Sequence, residues 1–102
     1  MNEYRTHNCG ELRLENVNQT VKLSGWIQKI RNLGGMIFID LRDEDGISQI
    51  VINDEKMQET AKEYTTESCI MVEGTVVERS NKNPKMPTGD IEIIAQKIEI
   101  LG

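Results

Sequence analysis

Apolar and polar positions alternate with a period of two along most of the chain. Val21, Leu23 and Ile27 share one face of the run from Val21 to Arg31, with Gly25 between them, which is the pattern of a half-buried strand. Asn32-Leu33-Gly34-Gly35 supplies a turn, and Ile37, Ile39 and Leu41 then alternate through Met36–Asp43 as a second strand. Glu44-Asp45-Gly46 is a further turn, because Asp-Gly tolerates positive φ, and Ile47–Asn53 reads as a third strand. The period then changes. Asp54 suits an N-cap, Glu55 suits the positive end of a helix dipole, and Met57, Ala61 and Tyr64 recur at helical spacing, which predicts one short helix through Tyr64. Alternation resumes in Ser68–Arg79, with Ile70, Val72 and Val76 inward and Gly74 marking a bulge or sharp bend. Residues 80–89 hold both prolines and form a long loop. A fifth strand spans Asp90 to about Leu101, and its apolar positions change parity between Ile93 and Ile98, which predicts a bulge.

Five strands, one short helix between the third and fourth, and a long loop between the fourth and fifth predict an all-β protein. The order matches a five-stranded Greek-key OB-fold barrel. Residues 1–102 fit one domain by length, and residues 1–20, with Leu12, Leu14 and Val17 irregularly spaced, are expected to form an N-terminal extension packed on the barrel end. No apolar run approaches the ~20 residues of a membrane helix, and the opening Met1-Asn2-Glu3-Tyr4-Arg5 lacks a basic flank followed by an apolar stretch. A soluble, cytoplasmic chain is expected, with no membrane partner. Cys9 and Cys69 lie far apart with no CxxC, and His7 is the one histidine, so neither a zinc site nor a disulfide framework is predicted.

Three residues on outward parities carry candidate chemistry. Phe38, the one phenylalanine, falls opposite Ile37, Ile39 and Leu41, beside Asp40 and Arg42. It either packs under a loop or across the sheet, or serves as a stacking platform of the kind on which OB folds bind single strands. Gln49 has parity opposite to Ile50 and Ile52; its amide offers donors and an acceptor together, which suits the edge of an unpaired base as well as ordinary solvation. Glu92 alternates with Ile91 and Ile93, and its carboxylate accepts from base amino or imino groups but repels phosphate.

A net charge of −5 argues against a nucleic-acid partner, since Lys and Arg neutralising phosphates supply most non-specific affinity. The distribution reverses that inference locally. Residues 22–42 hold four basic residues against Asp40, residues 79–85 hold Arg79, Lys82 and Lys85 with no acid, and residues 54–67 hold five acids against two lysines. Catalysis has little support: His7 has no partner in motif spacing, no Walker loop, GxSxG or HExxH occurs, and Asp43-Glu44-Asp45 reads as turn carboxylates, solvated or in an Asx turn.

Tyr4-Arg5-Thr6-His7, Cys9-Gly10-Glu11-Leu12, Gly25-Trp26-Ile27, Leu33-Gly34-Gly35 through Phe38-Ile39-Asp40-Leu41-Arg42-Asp43, and Asn83-Pro84 through Pro87-Thr88-Gly89-Asp90-Ile91-Glu92 occur in this order. As an ordered set they resemble the N-terminal anticodon-binding domain of bacterial-type aspartyl-tRNA synthetases over nearly the whole chain. Related asparagine and lysine enzymes share the phenylalanine, but the Pro-Thr-Gly-Asp-Ile-Glu run points to the aspartate enzyme. The chain departs from the family's continuous basic run before the Leu-Gly turn, having Lys29-Ile30-Arg31-Asn32. The resemblance implies that Phe38 stacks on the middle anticodon base, a uridine, that Gln49 hydrogen-bonds it, that Glu92 contacts an adjacent base and that Arg31 lies at the anticodon. Lys29, Arg79, Lys82 and Asn83 would border the same site. It also implies a parent enzyme that activates aspartate with ATP and Mg²⁺ in a separate class II catalytic domain, absent from this chain, and joins it to tRNA. No cofactor, metal or catalytic residue is expected here, and the domain alone is expected to be a monomer of a parent that dimerises. The alternative is a free-standing OB module for single-stranded nucleic acid or protein–protein binding, which the acidic helix favours.

Overall fold

A computed structural model describes residues 4–102; Met1–Glu3, which open the expected N-terminal extension, lie outside the described residues. Strands β1 (Thr20–Leu33), β2 (Met36–Arg42) and β3 (Ile47–Ile52) form an antiparallel meander. Helix α1 (Glu55–Ala61) follows, then β4 (Cys69–Glu78) and β5 (Ile91–Ile100). The strands close into a barrel in the order β1-β2-β3-β5-β4, with β4 pairing back onto β1. The β3–β5 seam is parallel and all other pairings are antiparallel. This is the expected OB-fold barrel, with the helix between β3 and β4.

Alternation dictates what fills it. Val21, Leu23 and Ile27 of β1, Ile39 and Leu41 of β2, Ile50 and Ile52 of β3, Ile70, Val72 and Val76 of β4, and Ile91 and Ile93 of β5 are fully buried. Each contributes about 1.5–3 kcal/mol by leaving water. Cys9 and Leu12 enter the same core from the N-terminal segment, which hydrogen-bonds to β1 through Thr6 N–H and the Lys22 carbonyl (2.9 Å). Leu14 starts a short 3₁₀ turn (Leu14–Asn16) and stays 44% exposed.

Several elements differ from the sequence pattern. β1 runs on to Leu33, so the hairpin turn is only Gly34-Gly35, with φ of 58° and 83°. Two successive positive φ values are those of a type I′ turn, which matches the right-handed twist of a hairpin. Helix α1 stops at Ala61 and not at Tyr64. Tyr64 packs partly buried against the core just beyond the helix, so its spacing carried the helical signal although its backbone does not. The Asp54 side chain caps the helix, accepting from Met57 N–H (3.0 Å). Of the two readings offered for the Asp43-Glu44-Asp45 turn, Asp43 takes the Asx turn and is 6% exposed: it accepts from the N–H groups of Asp45 (2.8 Å) and Gly46 (3.1 Å), and also from Cys9 N–H (2.8 Å).

Two bulges shape the sheet. In β5 the register against β4 shifts so that Gln96 is extra, between the Lys97–Glu73 and Ala95–Gly74 pairs. The parity change of β5 and the glycine of β4 therefore mark one feature. In β1 the register shifts between Ile27 and Lys29, leaving Gln28 extra. That shift moves the odd-numbered positions of β1 from the core side to the outer side, so Lys29 and Arg31 emerge on the outer face.

Candidate nucleic-acid interface

Outer-face positions of four strands meet in two adjoining rows. Arg31 pairs with Phe38, Phe38 with Val51 and Val51 with Ile94; one row along, Lys29 pairs with Asp40 and Asp40 with Gln49. Gln49 reaches on to β5, where its Nε2 donates to Glu92 Oε1 (2.8 Å). On its other side, Gln49 Oε1 accepts from Arg31 Nη2 (2.9 Å). Arg31 Nη2 also lies 3.7 Å from Asp40 Oδ1, and the guanidinium sits over the Phe38 ring, 5.5 Å from its centroid. Four of the residues expected at the site, Arg31, Phe38, Gln49 and Glu92, thus lie in one connected cluster.

The cluster has an apolar side and a polar side. Phe38 is half-buried beside buried Val51 and partly buried Ile94, so one part of the face is an aromatic and aliphatic surface. Gln49 is only 5% exposed and lies in the polar part between a cation and a carboxylate. Its outward parity was legible in the sequence; its burial was not, because that depends on Arg31 and Glu92 arriving from other strands. Arg31 Nε–H is buried without an acceptor among the described residues.

The peripheral residues separate into two kinds. Lys29 is exposed, and among the described residues its ammonium and the Arg79 guanidinium have no side-chain partner. Lys82 Nζ instead pairs with Glu78 (2.7 Å) and donates to the Arg79 carbonyl (3.3 Å). Asn83 holds its own loop: its Oδ1 accepts from Lys85 N–H (3.1 Å), its N–H donates to the Gly89 carbonyl (2.9 Å), and its carbonyl accepts from Met86 N–H (3.2 Å). Sequence parity alone missed Asp40, whose place beside Phe38 was visible but whose link to Arg31 was not. A cleft of about 260 Å³ between Arg42, Ile47, Lys85 and Met86 adjoins this face. A larger cavity of about 700 Å³ lies apart from it, bounded by Arg5, Trp26, Asp43 and Cys69. No helix among the described residues is long and apolar enough to cross a membrane.

Residues 21–101 match the tRNA anticodon family, described as an OB-fold nucleic acid binding domain. The chain is 52% identical over 101 residues to an aspartate–tRNA ligase of Bacteroides fragilis, covering 96% of this chain and 17% of that protein. It is 53% identical over 100 residues to an aspartate–tRNA(Asp/Asn) ligase of Thermotoga neapolitana, covering 95% and 17%. Among solved structures, asparaginyl-tRNA synthetase from Pyrococcus horikoshii superposes with a TM-score of 0.79 at 31% identity, over 93% of this chain and 22% of that one. The chain thus spans about one sixth of the length of the curated relatives it matches. On this match, together with the closed barrel that carries it, the chain belongs to the tRNA anticodon family of OB-fold nucleic-acid-binding domains, in the form found in aspartate–tRNA ligases.

Proposed function

We propose that the Arg31–Phe38–Gln49–Glu92 face reads the anticodon loop of an aspartate-accepting tRNA. The observation that carries this reading is the convergence of one half-buried aromatic ring with an arginine, an amide and a carboxylate on a single barrel face. A base stacked on Phe38 gains about 1–3 kcal/mol whatever its identity, so the ring supplies affinity and the polar row supplies choice. The middle anticodon uridine stacks there with its edge toward Gln49, and Glu92 accepts from a neighbouring base. Arg31 reaches the loop with its part-exposed guanidinium, while Lys29 and Arg79 lie near phosphates; Lys82 and Asn83 border the site through the 80–89 loop. The long protein of which such a domain forms about one sixth is proposed to be a cytoplasmic, dimeric enzyme that attaches aspartate to tRNA. Its ATP and Mg²⁺ chemistry is proposed to belong to a separate catalytic domain of that protein. The domain alone is proposed to be monomeric.

Phe38→Ala tests the reading. Its affinity for an aspartate-type anticodon stem-loop at low salt is expected to fall by about 1–3 kcal/mol, with the fold retained by circular dichroism. Unchanged affinity would remove Phe38 from the site.

A further inference from the structure

We propose that Arg31 and Glu92 clamp the Gln49 amide in one of its two flips, with Asp40 holding the Arg31 guanidinium, and that this clamp sets the choice between uracil and cytosine. The inference rests on the anticodon reading above and adds the device by which the amide discriminates. An amide presents an acceptor and a donor side by side. Uracil offers N3–H beside the O4 acceptor, whereas cytosine offers the N3 acceptor beside an N4 amino donor, so one amide pairs with either base by rotating half a turn. A glutamine free to flip is therefore a poor judge between the two pyrimidines.

Gln49 is not free to flip. Its Oε1 receives Arg31 Nη2 at 2.9 Å and its Nε2 gives to Glu92 Oε1 at 2.8 Å. A guanidinium can only donate and an ionised carboxylate can only accept, so the chemistry of the two neighbours dictates the orientation. The reverse flip would set N–H against N–H on one side and oxygen against oxygen on the other. With Gln49 5% exposed, water has little room to relieve either clash. One Nε2 hydrogen and one Oε1 lone pair remain for a base, in a fixed order: with N3 on the Arg31 side and the 4-substituent on the Glu92 side, uracil gives N3–H to Oε1 and takes Nε2–H at O4, whereas cytosine sets its bare N3 against Oε1 and its amino group against Nε2.

Asp40 completes the device without needing to touch a base. Its Oδ1 lies 3.7 Å from Arg31 Nη2, its side chain is 22% exposed, and it stands directly across the ladder from Gln49. With the Phe38 ring under the guanidinium, it fixes where the Arg31 donor sits, so Asp40 is a positioning residue acting through Arg31.

The test compares two anticodon stem-loops that differ only by uridine or cytidine at the middle base. The unmodified 102-residue chain is expected to favour uridine by about tenfold or more. In the double variant Arg31→Met with Glu92→Gln, the preference is expected to shrink to about twofold or less, because the amide then pairs either way. Asp40→Asn is expected to reduce the preference partway. Side-chain ¹⁵N relaxation in the free proteins supplies a readout that a merely structural role would not move: the Gln49 amide is expected to be rigid in the unmodified chain and mobile in the double variant. A double variant that binds both loops more weakly with the preference intact, or that keeps a rigid Gln49 amide, would overturn the clamp and leave the anticodon reading standing. An unmodified chain that binds both loops equally would likewise overturn the clamp. Failure of the unmodified chain to bind either loop would overturn the anticodon reading and the clamp with it.

Discussion

Burial gives the two cysteines of this chain opposite reactivity. Cys9 is fully buried, its N–H is held by the Asp43 carboxylate, and its thiol faces the Ser24 carbonyl at 3.9 Å. Burial, and after it the nearby Asp43 charge, pushes its pKa far above the ordinary value of 9.0, so it stays protonated and inert. Cys69 is exposed. In the folded protein a disulfide reagent is expected to modify Cys69 alone, with Cys9 reacting only on unfolding; equal rates would contradict the burial of Cys9. The folded chain keeps the Cys9 proton that the unfolded chain releases above about pH 9, so this contribution to stability is present below that pH and is lost as pH rises further. At the same scale, period-two alternation was enough to place Phe38, Gln49 and Glu92 on one side of the sheet. The same rule misplaces Arg31: counted from Val21, Leu23 and Ile27 it belongs with the core residues, and only the extra residue Gln28 turns it outward. Period counting cannot register such an insertion, because Ile27 and Ile30 are both apolar and fit either phase.

Strand irregularities position the site, so they are where the elements are most easily disturbed. A Cβ on Gly74 would run into the Ile94 carbonyl oxygen and come within 2.7 Å of Ile93 Cγ2, across from the Gln96 bulge. Gly74→Ala is expected to lower stability by about 1–3 kcal/mol in urea unfolding, since β4 and β5 must part to admit the methyl group. A cost near zero would show that the pair relaxes freely there. This bulge was legible twice in the sequence, as the glycine and as the parity change between Ile93 and Ile98, and the two signals fall at one register point. The 80–89 loop was legible as a loop by its prolines but not by its internal order. Asn83 was expected to border RNA, and its oxygen atoms are engaged in shaping the loop, an arrangement that depends on the Gly89 and Met86 backbone and leaves no periodic trace.

The charge of the whole molecule, −5, opposes nucleic acid, yet the chain belongs to a nucleic-acid-binding family. Segregation along the fold resolves the conflict. Acid is concentrated in and just after α1, while Lys29, Arg31 and Arg79 belong to segments at or near the Phe38 face. Internal pairing then reduces the basic side: Glu78 engages Lys82 and Asp40 stands beside Arg31, which leaves Lys29, Arg79 and Lys85 as the cations of these segments without a side-chain partner among the described residues. Association should accordingly weaken with added salt. The five strands and the position of the helix followed from alternation and turn chemistry, and the barrel from the match of that element order to an OB fold. The connected cluster did not, because it is assembled by register between β1, β2, β3 and β5, and registers are set by turns and bulges more than by residue type. The most direct test is to titrate the ¹⁵N-labelled chain at low salt with an aspartate-type anticodon stem-loop and follow amide and side-chain resonances. The largest changes are expected at Arg31, Phe38, Gln49 and Glu92; changes centred on α1, or on the cavity between Trp26, Asp43 and Cys69, with the Phe38 face unmoved, would contradict the assignment.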